Sequence, residues 1–142
     1  MAVRSRRPRS AKIALAKEED VIDVWGDGKQ TRSYCYIDDC VEGIYRLMRS
    51  DFREPLNLGQ DRMITIDELV DIVAKVAGKQ IEKQHDLSKP QGVRGRNSDN
   101  SQLRQVLGWE PRMSLEDGLA TTYRWIAGQV AKAQSVAVRV PA

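Results

Sequence analysis

One segment constrains the fold more than any other: Thr65-Ile66-Asp67-Glu68, followed by Leu69, Val70, Val73, Val76 and Ala77, and closed by Gly78. Thr and Glu three residues apart form a capping box, in which the hydroxyl and the carboxylate each satisfy a backbone N–H left over at a helix start. The apolar residues recur at helical spacing and make one stripe. The glycine supplies the left-handed stop. A helix of about three turns with one apolar face must bury that face on a sheet or on another helix.

The rest of the chain supplies both kinds of partner. Ala11–Lys17 favours helix by propensity. Val21–Trp25 is predicted as a strand, Gly26-Asp27-Gly28 as a turn and Ser33–Ile37 as a second strand. Asp38 offers an N-cap for a helix carrying Val41, Ile44, Tyr45 and Met48 and ending near Ser50. Pro55–Gly59 alternates like a short strand, and Ile81–Asp86 reads as a polar edge strand. Asp99 with Gln102 opens a helix with Leu103, Val106 and Leu107 on its apolar face, stopped by Gly108. Ser114 starts the last helix, with Leu115, Leu119, Thr122, Tyr123, Ile126 and Val130 facing inward. The fold class is α/β, with short strands and about four helices. Asp38–Gly59 looks suited to a larger sheet than these strands provide.

At 142 residues the chain makes one domain and not comfortably two. The expected organisation is a disordered basic arm over 1–10, a folded unit over 11–132 and a flexible tail over 133–142. The arm holds four arginines and no acid; without it, 19 basic residues face 20 acidic ones, a net of −1. The pI of about 9.0 therefore belongs to the arm, which weakens a nucleic-acid reading based on bulk charge. No apolar run approaches the roughly 18 residues of a membrane span, and the Arg-rich start lacks the apolar stretch of a secretory signal. Cys35 and Cys40 read as free thiols, which fits a reducing, cytoplasmic setting.

Two loops could carry chemistry. In Gly26–Arg32 a flexible turn delivers Arg32, whose planar fork can bond two phosphate oxygens; spacing alone favours a hairpin loop with a solvated arginine. In Lys89–Ser98, Gly92 and Gly95 allow close backbone approach, Arg94 and Arg96 add forks and Lys89 adds a point charge before a helix start. Taken alone, that loop reads equally as an exposed basic connection. Gly92-Val93-Arg94-Gly95 also fits the G-x-x-G of KH-type RNA binders, but the surrounding element order does not. His85 reads as an exposed strand residue, Asp38 and Asp39 as helix-start acids, and Trp25, Trp109 and Trp125 as packing residues. No G-x-G-x-x-G follows a strand, since Thr31 stands where the third glycine belongs, and no Tyr has a Lys four residues later. No metal-ligand spacing is present.

Trp25–Tyr34 with Tyr36–Gly43, then Pro55–Gly59 and Leu107–Pro111, resembles the C-terminal half of extended short-chain dehydrogenases/reductases acting on sugar nucleotides, the NAD-dependent epimerase/dehydratase family. Ser50–Pro55 and Gly92–Asn100 are similar to the branch that epimerises GDP-mannose. The resemblance covers about residues 11–132. It implies a C-terminal lobe that closes on a GDP-mannose-like sugar nucleotide, with the Rossmann core absent. By position, Gln30, Thr31 and Arg32 match one substrate-binding stretch and Arg94 and Arg96 the other; Lys89 stands where many relatives carry Arg. NAD is implied for the full-length family, bound by the missing part, so no cofactor is expected on this chain. The catalytic Tyr, Lys and Cys also belong to that part, and neither Cys35 nor Cys40 matches the catalytic Cys. The implied chain is a fragment, inactive alone, that self-associates or pairs with a Rossmann-domain partner. The alternatives are a structural or regulatory subunit docking on a separate Rossmann protein, and a nucleic-acid binder acting through the arm.

Overall fold

The structure, a computed structural model, describes Ile13, Ala16 and residues 20–138, of which 135–138 are described by backbone alone. The arm expected over 1–10 lies outside the described residues, as do 139–142. In order come β1 (Val21–Trp25), β2 (Thr31–Arg32), α1 (Ile37–Met48), β3 (Ile64–Thr65), α2 (Ile66–Ala77), β4 (Glu82–Asp86), β5 (Gly95–Arg96), α3 (Ser101–Leu107) and α4 (Leu115–Val138). The described residues thus form a mixed α/β fold with four helices and short strands.

The core assembles around α2. Thr65 accepts from the Glu68 N–H while Glu68 accepts from the Thr65 N–H, so the capping box is complete, and Gly78 ends the helix at φ 65°. Leu69, Val70 and Val73 are buried with Ile22 and Val24 of β1 and with Ile13, Ile64 and Ile66. β1 and β4 pair in parallel, with Ile22 opposite Lys83 and Val24 opposite His85. In-register neighbours share a face, so the buried pair of β1 and the polar pair of β4 look toward the same helix. At the rim, Lys83 meets Asp71 at 2.7 Å and His85 meets Asp67 at 2.9 Å, stitching β4 to one side of α2. Leu115, Leu119 and Tyr123 of α4 pack on the same core. Ile13 is helical and fully buried, and Lys79 donates to the carbonyls of Ile13 and Ala16.

A second sheet has the order β3-β2-β5, with β2 antiparallel to β3 and parallel to β5. Its middle strand is not Ser33–Ile37, as predicted, but Thr31–Arg32. The last rung is the Ser33 N–H to the Arg96 carbonyl at 3.2 Å. Beyond it Tyr34 and Tyr36 turn to α4, where Tyr36 packs against Gly118. Pro55–Gly59 alternates but has no strand to pair with, and is a loop.

The helix starts also differ from expectation. α1 is capped by Tyr36 without a side-chain hydrogen bond, not by Asp38. Asp39 instead accepts from the Arg112 and Met113 N–H groups at 2.9 and 2.7 Å, fixing the loop before α4. α3 begins at Ser101, whose N–H donates to Asp99, and α4 runs on to Val138, through part of the expected tail. Of the three tryptophans only Trp109 is buried; Trp25 and Trp125 are 46% and 66% exposed.

Candidate functional site

The two arginine loops meet at one sheet edge. Thr31 donates to the Arg94 carbonyl at 2.8 Å, and the register sets Thr31 opposite Gly95 and Arg32 opposite Arg96. A Cβ on Gly95 would lie 2.9 Å from Thr31 Oγ1, so these two share a face. Alternation then puts Arg32 and Arg96 together on the other face. Gly92, at φ 72°, passes close to Arg32: a Cβ there would sit 3.6 Å from its Nη2. Arg32 Nη1 donates to the Thr31 carbonyl at 2.6 Å, and among the described residues no carboxylate pairs with Arg32 or Arg96.

Arg94 is engaged differently. Its Nη1 donates to both carboxylate oxygens of Asp27, at 3.0 and 2.8 Å, and to Gln91 Oε1 at 3.3 Å. Asp27 also accepts from the Lys29 N–H at 3.0 Å. The Arg94 bond, and after it the Lys29 N–H, holds the Asp27 carboxyl below the ordinary carboxylate range. Neither Asp27 nor Gln91 stands out in the sequence as a site residue. An Asp between two glycines signals a tight turn, but nothing marks its partner 67 positions away.

The turn itself rests on filled space. Gly26 and Gly28 have φ 82° and 71°, and Cβ atoms there would collide with the side chains of Gln91 and Asp67. The Gly28 carbonyl accepts from the Asp67 N–H, and Asp67 is held by His85 Nε2. His85, expected as a plain strand residue, is thus the foot of the turn. With its glycines covered by protein, this turn has no room for a dinucleotide pyrophosphate, so the residues here do not fit NAD.

Gln30, matched to a substrate-binding stretch, is turned inward instead. It is 4% exposed, and its Nε2 donates to the Trp25 carbonyl at 2.9 Å, bracing the turn. Lys89 lies in the turn three residues past β4, with Nζ 3.7 Å from Asp86. Cys35 and Cys40 are free thiols, and burial, followed by the neighbouring Cys40, pushes the Cys35 thiol up to about 11. A cavity of about 170 Å³ lies elsewhere, between Tyr34–Tyr36 and the start of α4. In the arginine cluster Arg94 and Arg96 are exposed and Arg32 is partly buried. Among the described residues no helix is long and apolar enough to cross a membrane, and no group of three or more His, Cys, Asp or Glu is placed to hold a metal.

The family model for GDP-mannose 4,6 dehydratase matches residues 3–122, and the chain belongs to this NAD-dependent epimerase/dehydratase family. Among individual relatives it is 46% identical over 121 residues to GDP-mannose 3,5-epimerase 1 of Oryza sativa subsp. indica, covering 85% of this chain and 32% of that protein. It is 49% identical over 113 residues to GDP-mannose 3,5-epimerase of Arabidopsis thaliana, covering 80% and 30%. The chain therefore spans about a third of the curated relatives it matches. UDP-glucose 4-epimerase of Thermotoga maritima, solved with UDP-glucose, superposes with a TM-score of 0.77 at 28% identity, over 86% of this chain and 38% of that one. UDP-glucuronic acid 4-epimerase of Bacillus cereus, solved with NAD, gives 0.71 at 28% identity, over 84% and 38%.

Proposed function

We propose that this chain is the C-terminal, substrate-binding lobe of a sugar-nucleotide epimerase, and that it holds the diphosphate of a GDP-mannose-like ligand. The observation that carries the reading is the in-register pairing of β2 with β5, which sets Arg32 beside Arg96 and next to Arg94. Guanidinium groups on one edge suit a pyrophosphate, since each offers two parallel N–H donors to charged oxygens. Thr31 belongs to the same strand pair, Gln30 braces the turn that leads into it, and Lys89, in the turn after β4, adds a further positive charge in this reading. The redox steps and NAD binding belong to a cofactor domain supplied by other sequence, and alone the lobe binds weakly and does not turn over.

Titration calorimetry with GDP-mannose tests this. Arg32→Ala and Arg94→Ala should each weaken binding about tenfold, as loss of a charge-assisted hydrogen bond requires. Equal heats for wild type and both variants would remove the assignment.

The outer stripe of α1 supports a partner surface for the lobe. Ile37, Val41, Ile44, Tyr45 and Met48 are 48–78% exposed on one helix. A run of this kind marks an interaction face, covered in this reading by a second copy or by the cofactor domain.

A further inference from the structure

We infer that Asp27 is a positioning residue for the diphosphate: it holds one end of the Arg94 guanidinium so that the opposite edge is presented to phosphate. The inference deepens the reading above and rests on it. Three acceptors converge on a single nitrogen, since Asp27 Oδ1, Asp27 Oδ2 and Gln91 Oε1 all take Arg94 Nη1. Among the described residues Nη2 and Nε have no hydrogen-bond partner, so three of the five N–H groups of the fork remain for a ligand. The Nε/Nη2 edge is one of the two that can bond a phosphate through parallel N–H groups. Arg94 is 63% exposed, so without the clasp its side chain would sample many rotamers and lose them on binding.

Asp27 is itself fixed by its Lys29 N–H bond and by the glycines on either side, whose backbone lies against Gln91 and Asp67. Asp27 therefore transmits the rigidity of the α2–β4 contact to an exposed cation.

The alternative role of the same carboxylate has the opposite sign. An anion near a diphosphate repels it, so if Asp27 acted only through its charge its removal would tighten binding.

The test uses GDP as probe, with affinities from calorimetry on wild type, Asp27→Ala, Asp27→Asn and both changes in an Arg94→Ala background. Asp27→Ala should weaken GDP about two- to fivefold, the scale of a surface ion pair. Asp27→Asn, which keeps the Lys29 N–H bond and one acceptor for Nη1, should recover part of the loss. In the Arg94→Ala background neither change should weaken binding, since only the repulsion of the Asp27 charge is left to lose. The Arg94 Nε–H resonance should broaden in Asp27→Ala, an effect that a general loss of stability would not confine to one side chain. Tighter binding by Asp27→Ala, no change, or an equal loss in the Arg94→Ala background would each overturn the inference and leave the site reading standing. No GDP binding by wild type would overturn both.

Discussion

Two helices of equal length teach the main lesson of this chain. α1 and α2 each have 12 residues, acids in the first turn and a basic residue in the last. Both are amphipathic. Yet α2 buries Ile66, Leu69, Val70, Val73 and Ala74, whereas α1 buries only Gly43. The inner side of α1 touches Leu58 and Trp109, where a Cβ on Gly43 would come within 2.7 and 2.8 Å, and Arg46 lies over the Trp109 ring. Its apolar stripe looks out. Periodicity shows that a face needs cover; it does not show what covers it.

The sharpest way to break this contrast is to truncate one side chain on each stripe. Leu69→Ala should cost about 3 kcal/mol, because a buried leucine leaves a cavity as well as losing transfer energy. Ile44→Ala should change stability by less than about 0.5 kcal/mol, since the side chain is half in water already. Urea denaturation of both variants reads the difference, and similar losses would mean that α1 is covered within the chain.

The helix ends differ as much as the faces. α2 has a closed capping box and a left-handed Gly78, while α1 starts at Tyr36 without a side-chain cap and ends at Arg49 in right-handed geometry. Gly78→Ala should cost about 1–2 kcal/mol through the left-handed backbone alone. Thr65→Ala should cost about 1 kcal/mol. Arg49→Ala, with no such constraint, should fall within about 0.5 kcal/mol. A loss at Arg49 equal to that at Gly78 would show that α1 is held by its terminus and not by Gly43.

These ends mark how far the sequence could be read. The Thr65–Glu68 box, the Gly78 and Gly108 stops and the Leu69–Val70–Val73 face are local chemistry, legible because every participant lies within one or two turns. Pairing is not local. Ser33–Ile37 has strand composition, but β5 offers only Gly95 and Arg96, so the ladder stops at Ser33 and the tyrosines are left for α4. Pro55–Gly59 has the alternation and no partner. The arginines of the candidate site were legible as residue types, and the family resemblance implied that their two loops meet; residue spacing alone did not, because the meeting depends on a β2–β5 register between segments more than 60 residues apart. The same distance hid Asp27 behind Arg94, and His85 was unremarkable until β4 was set beside α2.

Cys35 reports on the junction where α1 leaves the core. Burial raises its thiol from 9.0 to about 11, with Cys40 adding to the effect. A raised acid favours the protonated form in the folded chain, so this contribution to stability is complete below about 9 and is lost as pH rises toward 11. Alkylation of Cys35 by iodoacetamide should therefore lag in the folded chain relative to the urea-unfolded chain across that window, with the lag closing above it. Equal rates throughout would show that the start of α1 is as open as its outer stripe.

The smallest effect on folding should carry the most information about that stripe. Val41→Gln with Met48→Gln replaces two residues that are 57% and 78% exposed, so the folded state should lose less than about 0.5 kcal/mol. If the stripe is an association face, the same pair removes apolar area from its centre and end, and burial of such area is the main force available there. Sedimentation velocity over a concentration series should then show the wild-type mass rising with concentration and the double variant remaining monomeric. A wild-type chain that stays monomeric at every concentration would rule out a second copy as the cover, and the stripe would then belong to a surface of different sequence. In either case stability and association separate on α1, whereas on α2 the apolar face is already spent on the chain's own core.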